Sequence, residues 1–227
     1  MEIIKLESIC RVYTNNGDPF TALTNIDLIV NESDFLIISG PSGSGKTSLL
    51  NIMGTLDKPT TGTLTLFGER IYTKNKLGLS YIRHQKIGYI FQVFNLIHTL
   101  TTYENIEYAL ILAGVPENLR SEKTDFIIEL MNLQDISSKR PNHLSSGQQQ
   151  LIAIARALVT LPKLVLADEP TSNLEHEKSL EIYEIFSKLN RDNGMTIVTA
   201  THDKSLLSFG TRFIELNDGI IKNENNR

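Results

Sequence analysis

Cysteine is almost missing: Cys10 is the only one among 227 residues. A single thiol excludes an internal disulfide and a cysteine-based zinc site within one chain, and it fits a reducing compartment. Cys10 lies in a strand-like stretch, so it reads as a small buried hydrophobe and not as a reactive thiol. No apolar run reaches the roughly 18 residues that cross a bilayer. The opening, MEIIKLESIC, lacks a basic leader followed by an apolar core, so no signal peptide is expected, and work at a membrane would need another anchor. A basic excess is lacking too. The 22 Lys and Arg residues face 26 Asp and Glu, for a net charge of −4, which offers nucleic acid no basic patch. No repeat or low-complexity linker interrupts the chain. The remaining composition, 41% hydrophobic and 21% charged, is that of a globular protein. The length suits one domain with room for an inserted subdomain.

The chain is organised around residues 34–50, DFLIISGPSGSGKTSLL. An apolar run from Phe35 to Ile38 predicts a strand, and Thr47 to Ile52 predicts a helix. The turn between them, Gly40 to Thr47, fits G-x-x-x-x-G-K-[ST]. Gly40, Gly43 and Gly45 allow backbone N–H groups to turn inward on phosphate oxygens, with Ser42, Ser44 and Ser48 around them. The helix aims its positive end at the same anion. Lys46 reaches toward β- and γ-phosphates, and the Thr47 hydroxyl can hold Mg²⁺.

Elsewhere the pattern predicts strands at 2–13 and 22–30. In the second, Ile26, Leu28 and Val30 face one way, and Asn25, Asp27 and Ile29 the other. A turn at 15–19 joins the two. Two short strands broken by Gly62 and Gly68 are expected in 59–72, a short helix at 76–86, and a strand from Ile87 to Phe91 that ends in Gln92. The pattern is helical from 100 to 160: Ile127, Leu130 and Met131 keep helical spacing, as do Leu151, Ile154, Ala155 and Leu158. KLVLA (163–167) and 195–201 read as buried parallel strands. Residues 176–190 read as an amphipathic helix with Ile182, Ile185, Phe186 and Leu189 on one face. A hairpin at 211–223 turns on Asn217-Asp218-Gly219, and the polar tail NENNR is expected to fray. The fold class expected is α/β: a phosphate-loop core on a parallel sheet, an antiparallel β portion (about 1–33 and 59–75) and a helical insert (about 95–160).

Ligands of open α/β sheets bind beyond the strand ends. Asp168, ending the strand 163–167, can support Mg²⁺, and Glu169 can polarise a water. His202 and Gln92 end strands on the same edge, where the Gln92 amide could ligate the metal and orient water. Ser145 and Gly147 open a helix, giving a second anion-binding turn or a plain N-cap.

With these motifs in this order, essentially the whole chain resembles the nucleotide-binding domain of ABC transporter ATPases. The stretches LDKPTTG (56–62), IGYIFQVFNLI (87–97) and LADEPTSNL (166–174) are similar to the MacB, LolD and FtsE type. The resemblance implies ATP and Mg²⁺ as cofactors. It implies that Tyr13 stacks on adenine, that Gly40 to Ser48 cradle the phosphates, and that Asp168 supports the metal. Glu169 would be the general base, His202 would contact the γ-phosphate, and Gln92 would link metal and permease. It further implies a homodimer in the ATP-bound state, in which Ser145, Gly147 and Gln148 close over ATP on the other subunit. An integral membrane permease would hold the protein at the cytoplasmic face of the cell membrane. Three positions depart from the family: Ser146 for the first glycine of LSGGQ, Leu151 for an arginine, and Glu175 for an aspartate. They bear on closure and not on ATP binding, and with Glu169 and His202 intact hydrolysis is expected. A regulatory module that signals through a permease-like partner is the other reading. DNA-repair ATPases that share this head need a coiled-coil or zinc insertion, which does not fit in this length with one cysteine. A phosphate-loop kinase would not explain 144–148 together with His202.

Overall fold

The computed structural model describes residues 1–15, 18–73 and 76–226. In chain order the elements are β1 (Glu2–Asn15), β2 (Asp18–Asn31), β3 (Phe35–Ser39), α1 (Lys46–Met53), β4 (Thr61–Leu66) and β5 (Glu69–Arg70). Next come α2 (Lys76–Lys86), β6 (Ile87–Ile90), α3 (Thr102–Leu112), α4 (Glu117–Leu130) and α5 (Ser146–Leu158). The chain ends with β7 (Leu164–Asp168), α6 (His176–Asn193), β8 (Thr196–Thr201), β9 (Arg212–Asn217) and β10 (Ile220–Asn226). A small antiparallel sheet has the order β2-β1-β4-β5, and a larger one the order β10-β9-β3-β8-β7-β6. In the larger sheet every neighbouring pair is parallel except β9 with β10.

Side chains alternate across a strand, and here both faces of the central strands are covered. On β3, Phe35 and Ile37 join a cluster with Ile152, Ile154 and Phe186 from α5 and α6. Leu36 and Ile38 join another, with Leu49 and Ile52 of α1 and Leu6 and Leu64 of the small sheet. β7 divides likewise, with Val165 and Ala167 on one side and Leu164 and Leu166 on the other. The large sheet thus separates two cores.

Several sequence expectations change in the fold. Cys10 is only half-buried, and its Sγ accepts the Asn25 N–H at 3.2 Å, because β1 kinks where its pairing shifts register. Gly62 does not break a strand. It sits inside β4 with φ 96°, where a Cβ would stand 2.5 Å from the Ser8 carbonyl oxygen. The tail does not fray before its end: β10 pairs along β9 as far as Asn226 opposite Arg212. α6 runs to Asn193, and its most deeply buried side chains include Tyr183, whose hydroxyl lies 3.1 Å from Thr199 Oγ1. Leu151 packs into the core beside Ile154, Ala155 and Leu158, in keeping with its helical spacing. In the turn expected at 15–19, residues 16 and 17 lie outside the described residues.

Candidate active site

β3 delivers the chain to the glycine turn, and α1 leaves it. Gly40 has φ 151° and Gly45 φ 103°. A Cβ at either would stand 2.1 Å from the Leu216 carbonyl oxygen or 2.6 Å from that of Ala22, so only glycine fits. Lys46 is nearly buried, and its ammonium donates to the carbonyls of Gly40 at 2.8 Å and Pro41 at 3.0 Å. It lies 3.8 Å from Glu169 Oε1. The Thr47 hydroxyl donates to Asp168 Oδ2 at 2.7 Å. That bond joins the phosphate turn to the end of β7, two strands away across the sheet.

Asp168 is buried at the end of β7, and burial lifts its carboxyl above the ordinary carboxylate value, with the Thr47 hydrogen bond opposing. Its Oδ1 is buried with no hydrogen-bond partner among the described residues. An unpartnered carboxylate oxygen beside a hydroxyl, with Gln92 opening on the same cleft, fits a small hard cation such as Mg²⁺. Glu169 follows at φ 47°, a left-handed conformation that costs a non-glycine residue about 1–2 kcal/mol. Its N–H donates to the Ala200 carbonyl of β8 at 3.0 Å, which fixes the turn. Its Oε2 lies 2.8 Å from His202 Nδ1. An ionised carboxylate only accepts, so Nδ1–H is the donor. The Glu169 side chain is 12% exposed and that of His202 68%, so the histidine is the outer member of the pair.

These groups line one cleft of about 570 Å³: Ser42, Gly43, Gly45, Lys46, Thr47 and Ser48 with Gln92, Asp168, Glu169 and His202. Gly40 and Ser44 are not among the lining residues, and Ser44 is buried. The structure does not bring Tyr13 into the lining. Tyr13 adjoins it: its hydroxyl lies 3.3 Å from the Oγ of Ser48, a lining residue, and donates to Asp57 Oδ2 at 2.8 Å, while its ring carries the Arg11 guanidinium 4.3 Å from the centroid. Phe20, its partner across the β1–β2 register, lines the cleft with Ala22. The sequence offered little sign of Phe20, a lone aromatic between the turn expected at 15–19 and the strand expected from 22. Ser145, Gly147 and Gln148 are also outside this cleft. Ser145 caps α5, accepting the Gln148 N–H at 3.2 Å while Gln148 Oε1 accepts the Ser145 N–H at 3.0 Å. Gly147 lies against Asn173 and Leu174, where a Cβ would be 3.4 Å from Leu174. Ser146 and Glu175 are both exposed.

A glycine turn between a parallel strand and a helix, with an acidic strand end facing it, defines a phosphate-loop nucleotide-binding protein. More narrowly, the chain belongs to the ABC transporter family, whose sequence profile, described as ABC transporter, matches residues 23–172. It is 39% identical over 221 residues to the lipoprotein-releasing system ATP-binding protein LolD 1 of Chlorobium chlorochromatii, covering 96% of this chain and 89% of that protein. It is 38% identical over 226 residues to the macrolide export ATP-binding/permease protein MacB of Syntrophobacter fumaroxidans, covering 99% of this chain and 32% of that protein. Among solved structures, a dimeric post-hydrolysis state of the ATP-binding cassette MJ0796, bound to ADP and Pi, superposes with a TM-score of 0.94. That cassette, from Methanocaldococcus jannaschii, is 38% identical, with 99% of this chain and 98% of that one covered. The fold is therefore that of an ABC ATPase cassette.

Proposed function

We propose that the chain is the ATP-hydrolysing subunit of a transporter and drives a membrane permease in MacB- or LolD-like export or extraction of a peptide, lipoprotein or drug. The observation that carries this is the junction of Lys46, Thr47, Asp168, Glu169 and His202 in one cleft. Lys46 exchanges its bonds to loop carbonyls for the β- and γ-phosphates. Thr47, Asp168 and Gln92 would hold Mg²⁺, which when bound neutralises charge on those phosphates. His202 occupies Glu169 Oε2 and leaves Oε1 to take a proton from the attacking water. Ser145, Gly147 and Gln148 lie away from this cleft, which supports their serving a second copy's ATP in a head-to-tail homodimer. A second hollow, of about 310 Å³, supports permease docking at the cytoplasmic membrane face. Tyr89, Phe91, Ile97, Tyr108, Leu112 and Arg156 are among its lining, and Tyr108 and Leu112 are exposed.

The test compares wild type with Glu169→Gln. Turnover should fall by roughly 10²–10⁴-fold with ATP binding retained, and light scattering should find the variant dimeric in saturating Mg-ATP. Unchanged turnover sinks the assigned base, and a variant that stays monomeric sinks the shared site. The regulatory reading is favoured by exposed Ser146 in the signature turn. ATP-dependent movement of substrate by the chain reconstituted with its permease excludes it.

A further inference from the structure

The segment 92–97 joins β6 to the helices that follow, and it begins at Gln92 in the cleft. Beyond Gln92 and Val93, which are exposed, it is held at two points. Asn105 of α3, fully buried, accepts the Ile97 N–H at 2.8 Å and donates to the Ile97 and Leu100 carbonyls at 3.1 Å each. Nearer the cleft, Arg156 of α5 donates from Nη1 to the Asn95 carbonyl at 2.7 Å and from Nη2 to the Phe94 carbonyl at 2.9 Å. Asn95 has φ 49°, a conformation asparagine tolerates better than most residues, and this turns successive carbonyls toward one guanidinium. The planar fork of arginine can meet two acceptors at once, whereas a lysine ammonium behaves as a point charge.

Arg156 sits eleven residues after Ser145 on a continuous helix, about 16 Å along its axis. We infer that Arg156 is a positioning residue that ties the Ser145–Gln148 end of α5 to Gln92 through the carbonyls of Phe94 and Asn95. A shift of α5, such as closure over a second copy's nucleotide would demand, then carries the 94–95 backbone with it and resets Gln92 three residues away. Arg156 and Asn95 also line the 310 Å³ hollow, so whatever docks there touches the tie itself. The inference rests on the proposed function for its catalytic consequence, but the tie is physical and can be read without turnover.

The experiment uses the full chain with Arg156→Gln and Arg156→Lys. Thermal unfolding selects variants that remain folded, and the lysine form, which keeps the charge, serves if the glutamine form does not fold. Amide hydrogen exchange without nucleotide should quicken at 93–97 by about tenfold or more in the glutamine form and by less in the lysine form, while the rest of the chain keeps its protection. With Mg-ATP, kcat should fall by about tenfold and require more Mg²⁺, with KM for ATP within about twofold of wild type. Native exchange at 93–97 in a folded variant overturns the tie. Quickened exchange with unaltered kcat and Mg²⁺ dependence reduces Arg156 to a structural peg and overturns its positioning role. A wild-type chain that hydrolyses no ATP overturns the proposed function instead, and exchange at 93–97 then decides the tie alone.

Discussion

Lys46 and Glu169 hold opposite charges 3.8 Å apart, both largely shielded at the floor of an open cleft. The lysine donates two hydrogen bonds to its own loop, which hold its ammonium against the glycine turn. Replacing it should cost the triphosphate a charge-assisted hydrogen bond while leaving the loop glycines in place. Lys46→Ala is expected to weaken ATP binding by roughly 10–100-fold, as measured by equilibrium dialysis, with little change in unfolding temperature. At this scale most of the site was legible in the sequence. The phosphate turn and the strand-end residues Asp168, Glu169 and His202 are set by local spacing alone. Phe20 and Arg156 were not legible, because each reaches its place through contacts between distant segments: the β1–β2 register for one and a helix packed on a loop for the other.

Among the elements, α3, like α5, opens on a reciprocal capping box. Thr101 caps it, accepting the Glu104 N–H at 3.2 Å, while Glu104 Oε2 accepts the Thr101 N–H at 2.7 Å. That backbone donor, then the Thr101 hydroxyl, holds the Glu104 carboxyl below its ordinary value of 4.5. A carboxyl depressed in the folded state stabilises the protein above its unfolded pKa, and the gain is lost as pH falls through the folded value. Glu104→Gln should therefore be less stable than wild type to urea near neutral pH, and the difference should shrink on descending below about pH 4.5. Equal differences at both ends of that range would show that the charge is irrelevant to the cap. By contrast, Glu175 begins α6 without a side-chain cap bond. The longer side chain there is a departure that the sequence displayed and the fold leaves unsupported. Element type was largely readable from periodicity. Ends were not, since β10 owes its last residues to a neighbour, β9, and not to its own polar sequence.

The whole molecule has one feature that no local pattern announces, which is which buried side chains share a compartment. Sequence reading marked Phe35 to Ile38 simply as apolar. The structure sends Ile37 toward α5 and α6, and Ile38 toward α1 and the small sheet, both completely shielded from water. Adjacent residues usually interact when both are altered. Here the sheet's backbone acts as a bulkhead. Ile37→Val and Ile38→Val should each cost about 0.5–1.5 kcal/mol, and the double change should equal their sum within about 0.5 kcal/mol in urea titrations. A hull divided in this way can be refitted on one side without flooding the other, so the helical half is free to diverge toward new companions while the half beneath the nucleotide cradle keeps its lines.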